Sequence, residues 1–425
     1  VNSLKNINNS LYLILLLFFV SSFKSYCQTG TVLDSLLKNN LQKFNHVLVN
    51  PEKYKLSIIY TRIDRDKNNK PDFTTHTFNV NGRQDYFYPA STVKLPVAMV
   101  AMAKLDELKD KGITRETTMY ADSGFYCQKK ILKDESAADA KPSIGNYIRK
   151  MFLVSDNIAC ARTYEFIGCD YLHRTLEKWN FPNIRLNNKL DGKCPGDTAK
   201  ITPPIYFVNQ KGDTLYKQPL TFSSYNKSHP IKSSKVGEGY VDGKGRKTGE
   251  VKDFGRHNYL SIQDLHYLMQ RLLFSDYLPE QERLPLSGES RKFLIEYLGM
   301  YPRESEAPRY EPKTYYDSYK KYFLYGSSVA TIKVDSVRIF NIVGRAFGFL
   351  IDCAYIVDFK NKTEFLLTAG IYVNERNTFG SGHYEYDKIG LPFLKELSKS
   401  IYTYERKRKK AVLPDLNEFN FFGYQ

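Results

Sequence analysis

The chain has 425 residues, 42% of them hydrophobic, and a formal net charge of +16. That length and apolar content fit one large domain or two closely packed lobes, and they exclude a small module or a disordered tail. The positive balance favours an anionic envelope or polymer through its general field, but no nucleic-acid module accompanies it, and none is expected as a partner. The densest basic run, Arg406-Lys407-Arg408-Lys409, ends a helical pattern, where positive charge suits the helix dipole.

Residues 1–27 read as an export signal, with Lys5 near the start, an apolar run from Leu11 to Val20, and Ser25-Tyr26-Cys27 as a small-x-small cleavage site. The mature protein is then expected to begin at Gln28 and to be periplasmic. A lipid anchor on Cys27 is the alternative, and the bulky Tyr26 argues against it. No later segment approaches about 18 apolar residues in succession, so no integral membrane segment is expected in the mature chain, which is taken as a monomer. Losing Cys27 leaves Cys127, Cys160, Cys169, Cys194 and Cys353, an odd set without metal-ligand spacing. At least one thiol is expected to be free, the pairing of the others stays open, and neither metal nor organic cofactor is called for.

From Val32 to Asn45 the spacing of Leu33, Leu36, Leu37, Leu41 and Phe44 predicts a helix. Lys55 to Ile63 and Phe73 to Asn79 predict an antiparallel hairpin across Asp64-Arg65-Asp66-Lys67-Asn68. That turn imitates a calcium loop, but Asn69 replaces the glycine and Thr75 the bidentate glutamate. Helical periodicity follows over Thr92 to Leu108, Ile144 to Val154, Ile158 to Ile167, Tyr171 to Trp179 and Ile262 to Leu273. Residues 204–258 break the rhythm with Gly, Lys, Ser and Asn and predict an irregular surface insertion. Strands return at Arg338 to Phe359, with an internal break, and at Glu364 to Val373, joined by Lys360-Asn361-Lys362, before a final amphipathic helix from Leu391 to Glu405. The order predicts an α+β fold: one mixed lobe built from residues 28–95 and 326–412, with a helical lobe, residues 96–325, inserted between them.

Two short motifs carry the chemistry. Ser91 and Lys94 lie three apart at the start of an apolar helix, so the amine can reach the hydroxyl. Burial disfavours the ammonium form and leaves an amine that can accept the serine proton, while the helix N-terminus supplies N–H donors. Ser-x-x-Lys recurs at Ser21 in the signal, at Ser35 on an amphipathic surface helix, and at Ser224 and Ser318 in polar stretches without an apolar helix behind them. Ser155-Asp156-Asn157 occurs once, between two helical segments, where helix capping is its plainest role.

With these contexts the chain resembles the penicillin-recognising serine enzymes, class A β-lactamases in particular. The resemblance covers the hairpin leading into Tyr88-Pro89-Ala90-Ser91-Thr92-Val93-Lys94, the segment Ile144 to Gly168, and the terminal strands and helix; it is weak from about 180 to 325. It implies a β-lactamase/transpeptidase-like fold, an antiparallel sheet flanked by N- and C-terminal helices with the site between two lobes. It further implies Ser91 as the acylated nucleophile, Lys94 as its proton partner, Ser155 as a proton shuttle, Asn157 as a substrate contact, and the Ser91 N–H as half of an oxyanion hole. The implied activity is cleavage of a β-lactam or related amide through an acyl-Ser91 intermediate. The alternatives are a penicillin-binding or D-Ala-D-Ala peptidase type enzyme acting on peptidoglycan peptide, and a non-catalytic cell-wall-binding relative. Two departures stand out. The third motif, Lys-Thr-Gly, falls at Ile342-Val343-Gly344, where Val343 and Gly344 keep the substrate-binding position but the cation is absent. Arg338 or Arg345 is the candidate replacement, and a literal Lys247-Thr248-Gly249 lies in the insertion. The loop Arg185 to Asp191 lacks the deacylating glutamate, leaving Asp191 as a short stand-in.

Overall fold

The computed structural model describes residues 31–80, 86–194, 196–333 and 336–424. The expected signal, with Lys5, the run from Leu11 to Val20 and Cys27, lies outside the described residues. A five-stranded antiparallel sheet uses strands from both ends of the chain: β1 Ser57–Arg65, β2 Pro71–Phe78, β10 Val337–Ala346, β11 Phe349–Asp358 and β12 Thr363–Tyr372, ordered β10-β11-β12-β1-β2. The fold is α+β, as expected.

Side-chain alternation explains why this sheet is covered on both faces. Along β11, Ile351, Cys353, Tyr355 and Val357 enter one core while Leu350, Ala354 and Ile356 enter the other. The second core is closed by Leu33 and Leu37 of α1 (Thr31–Asn39), Phe44 and Val47 of α2 (Leu41–Leu48), and Leu394, Leu397 and Ile401 of α9 (Leu391–Lys407). The single N-terminal helix expected from spacing is thus two, broken at Asn40, whose side chain bonds back to Leu36 O at 2.9 Å.

The first core is larger and holds α3 (Lys94–Glu107), α4 (Ile144–Val154), α5 (Asn157–Ile167), α6 (Cys169–Lys178), α7 (Ile262–Phe274) and α8 (Gly288–Gly299). Helix α3 is buried from Lys94 to Leu105, apolar on almost every side, as suits a helix in the middle of a core. Although α7 lies in the stretch expected to form the helical lobe, it packs on the sheet: its His266 is buried and bridges the Thr61 and Thr368 hydroxyls at 2.9 and 2.8 Å.

The insertion is less irregular than its composition predicts. It contains β4 (Ile205–Val208) and β5 (Thr214–Gln218), which extend β3 (Thr118–Ala121), and the short strands β6 (Lys235–Val236), β7 (Gly239–Val241), β8 (Lys247–Thr248) and β9 (Lys252–Asp253). Parallel to β7 runs β13 (Thr378–Phe379). Strands β6 to β9, two or three residues each, leave no readable alternation. Cys127 and Cys194 form a disulfide, and Cys160, Cys169 and Cys353 are buried free thiols.

Candidate active site

The turn carrying Ser91 is a short 3-10 segment, Ala90–Val93, feeding directly into α3. Ala90 has a φ of 48°, in the left-handed region that non-glycine residues seldom occupy, so the turn is strained where it presents Ser91. Thr92 fixes it by donating its hydroxyl to Pro89 O at 2.7 Å. Pro96, in the first turn of α3, costs little because its missing N–H has no partner to lose there.

The second motif divides its labour. Asp156 is the cap of α5, its side chain accepting from Ala159 N at 2.9 Å, which satisfies the plain structural reading for that residue. Ser155, at φ 61°, ends α4 and donates its N–H to Met151 O at 3.1 Å. The sharp reversal leaves the Ser155 and Asn157 side chains directed at Lys94.

Lys94 joins the motifs. Its Nζ lies 2.7 Å from Ser91 Oγ, 2.8 Å from Ser155 O, 3.0 Å from Ser155 Oγ and 2.7 Å from Asn157 Oδ1. Two of these four atoms, the Ser155 carbonyl and the Asn157 amide oxygen, accept only. A neutral amine satisfies both with its two N–H groups and keeps its lone pair for a serine hydroxyl. The side chain has no solvent exposure, and burial brings its pKa down to about 8 against the opposing pull of Cys160 and Asp156.

Gly344 forms the opposite wall. A Cβ there would stand 2.6 Å from Pro89 O and 3.2 Å from Ala90 Cβ, so only glycine lets the edge strand β10 pass against the Ser91 turn. Val343 turns its side chain into the second core, so its share in the cleft is limited to its backbone. Ile342 is buried in the first core and brings no charge.

Neither arginine supplies the missing cation. Arg338 pairs with Glu304 at 2.8 Å and lies 3.8 Å over the Phe422 ring; Arg345 is exposed, its guanidinium over Tyr386. The literal Lys247-Thr248-Gly249 begins on β8 in the small sheet β13-β7-β8, with Lys247 exposed. The loop Arg185 to Asp191 is tied down by a reciprocal Asn188–Asn258 pair at 2.8 and 3.1 Å and by Lys189, whose Nζ holds Glu165 of α5 at 2.9 Å. Glu165 is thus a buried carboxylate committed to Lys189 and Arg162. Asp191 is half-buried and near enough to Cys160 to raise its thiol pKa, whose largest cause is burial.

Sequence reasoning missed Lys320, whose Nζ donates to Met151 O, the carbonyl that also holds the Ser155 N–H. It lies in a Tyr- and Lys-rich stretch without periodicity, so no local signal marks it.

A serine hydroxyl on a buried amine, with a second serine and an asparagine on the same nitrogen, is equipped for acyl transfer with lysine as the base. The Beta-lactamase enzyme family (Beta-lactamase2) matches residues 42–404, and the chain belongs to that family. Among solved structures, a β-lactamase from Sphaerobacter thermophilus aligns at 12% identity over 88% of this chain and 100% of that one, with a TM-score of 0.46. A mutant of PBP-A, solved as an acyl-enzyme complex with penicillin G, aligns at 14% over 88% and 97%, also at 0.46. A β-lactamase from Xanthomonas campestris aligns at 13% over 87% and 97%, at 0.44. No curated protein matches the chain.

Proposed function

We propose that this protein is an exported, periplasmic serine hydrolase that opens a β-lactam or related amide through an acyl-Ser91 intermediate. The observation that carries this reading is the 2.7 Å contact between the Lys94 amine and Ser91 Oγ, with Lys94 buried and held by two acceptor-only atoms. Lys94 takes the proton from Ser91 Oγ as that oxygen bonds to the substrate carbonyl carbon. The carbonyl oxygen gathers charge against the Ser91 N–H at the head of α3. The ammonium then returns the proton through Ser155 Oγ, 3.0 Å away, to the nitrogen that leaves, and Asn157 meets the substrate amide.

The absence of a glutamate from the loop Arg185 to Asp191 favours a second reading, in which the acyl-enzyme is long-lived and the natural substrate is a cell-wall peptide. In that case Asp191, with its short side chain, is a poor stand-in to direct water.

Intact-mass spectrometry over time, after mixing the protein with benzylpenicillin, tests both. We expect an adduct that is absent in Ser91→Ala. Its decay with release of opened penicillin fits the hydrolase, and its persistence fits the cell-wall peptidase. No adduct and no opened penicillin in the wild type would refute both.

A further inference from the structure

A second buried amine shares the Met151 carbonyl with the Ser155 N–H. Between α8 and β10 the chain carries two consecutive lysines that point to different partners. Lys321 Nζ donates to Leu298 O, Ile339 O and Asn341 Oδ1 at 3.0, 2.8 and 2.7 Å, three acceptors for three N–H groups. Lys320, only 7% exposed, has one among the described residues: Met151 O at 3.2 Å. Lys94 thus reaches Ser155 through its hydroxyl and carbonyl, and Lys320 reaches it through the carbonyl that holds its N–H.

This placement is built into the sheet. Asn341 of β10 donates its amide to Lys320 O and to Asp352 Oδ1, both at 2.8 Å. Asp352 Oδ2 accepts the N–H groups of Tyr322 and Phe323 at 3.1 and 3.0 Å. The backbone around Lys320 is thereby fixed from two strands. The titratable groups that face its amine are Lys321 on the same segment, Lys94 from α3 and Asp352 from β11. Burial, then Lys321 and Lys94, push its pKa well down, and Asp352 opposes them weakly. Among the described residues an ammonium here would leave two N–H groups without a partner.

We propose that Lys320 is a positioning residue for an anionic substrate, neutral in the empty site and taking up a proton from solvent when a carboxylate-bearing amide or lactam enters the cleft beside Ser155. It thereby supplies the positive charge that β10 lacks at Ile342. The inference rests on the reading of Ser91 as the acylated nucleophile. An arriving carboxylate favours the charged form of a nearby amine, and proton uptake on binding is the direct sign of that shift.

The test is calorimetric titration of the full chain carrying Ser91→Ala with benzylpenicillin, in buffers of different ionisation enthalpy at pH 7.5. We expect uptake of about one proton with the Ser91→Ala protein. Adding Lys320→Met removes that uptake and weakens binding by about tenfold. Adding Lys320→Arg, whose guanidinium is always charged, restores affinity without uptake, a pattern that a packing role would not give. The penicillin methyl ester drives no uptake in any variant. An equal proton count with and without Lys320→Met would overturn the inference and assign the proton to Lys94. Absence of binding to Ser91→Ala would also overturn it, and adduct formation by the wild type reports separately on whether Ser91 is acylated.

Discussion

The two ends of helix α3 each bury a lysine, ten residues and about 15 Å of helix apart. Burial lowers both amines to a pKa of about 8. Their partners differ. Lys104 Nζ donates to Phe166 O, Ile167 O and Gln218 Oε1 at 2.6, 3.1 and 2.9 Å, three oxygens that can only accept, so the ammonium form is fully satisfied. It closes the C-terminal carbonyls of α5, a structural duty. Lys94 faces two acceptor-only oxygens and two hydroxyls, and its lone pair has a proton to take. A lowered pKa therefore does not set the proposed base apart from a structural lysine; the hydroxyl beside it does.

The largest difference between the two ends should appear in acylation. Ser91→Ala abolishes penicillin adduct formation, and Lys94→Met slows it by roughly 10²–10⁴-fold, the usual range for losing a general base. Lys104→Met leaves the acylation rate per folded molecule within about twofold, and the contrast is read by mass spectrometry on matched folded samples.

Stability should rank the same lysines the other way. Lys104→Met leaves two buried carbonyls and an amide oxygen without a donor and should cost about 2–4 kcal/mol in urea unfolding. Both lysines have folded pKa values below the ordinary 10.5. Each therefore carries a penalty that is complete below pH 8 and fades as pH rises to 10.5, because the unfolded chain holds the proton more tightly. Wild type should gain stability relative to Lys94→Met, and relative to Lys104→Met, across that window. A gain relative to only one variant would show that burial penalises the two ammonium groups unequally.

Cys127–Cys194 closes a loop whose ends are 67 residues apart and tethers the chain just beyond Asp191. Replacing both with serine should cost about 2–4 kcal/mol, seen as a lower unfolding midpoint without change in the Lys94 titration. The smallest effect belongs to Lys247→Ala. That exposed residue of the literal Lys-Thr-Gly should alter stability by no more than about 0.5 kcal/mol and leave the adduct unchanged.

What the sequence reveals follows from how local each signal is. Ser91 and Lys94 are legible because a single helix carries both and its continuation from Leu95 to Leu105 is unbroken by charge until Lys104. The strands β10 to β12 announce themselves by length and by their many apolar, aromatic and β-branched residues, and α4 by apolar spacing that ends where the structure ends it. Lys320 is not legible, since its meaning lies in Met151, 169 positions away. The same holds for β3, whose pairing with β4 is long-range, and for the Cys127–Cys194 pairing. Helix α8 escapes notice because Phe293, Leu294 and Ile295 are bunched instead of spaced along one stripe. The single N-terminal helix read from Val32 to Asn45 fails at Asn40 for a related reason: apolar spacing continues across a residue whose side chain bonds back to the backbone and ends the first helix.

The most direct test of Lys94 as the base is the pH dependence of the initial rate of Ser91 acylation by benzylpenicillin. A neutral amine with a pKa near 8 gives a rate that climbs about tenfold per pH unit on the acid side, bends near pH 8 and levels above it. A flat profile through that range, or the same bend in Lys94→Met, would show that another group takes the Ser91 proton.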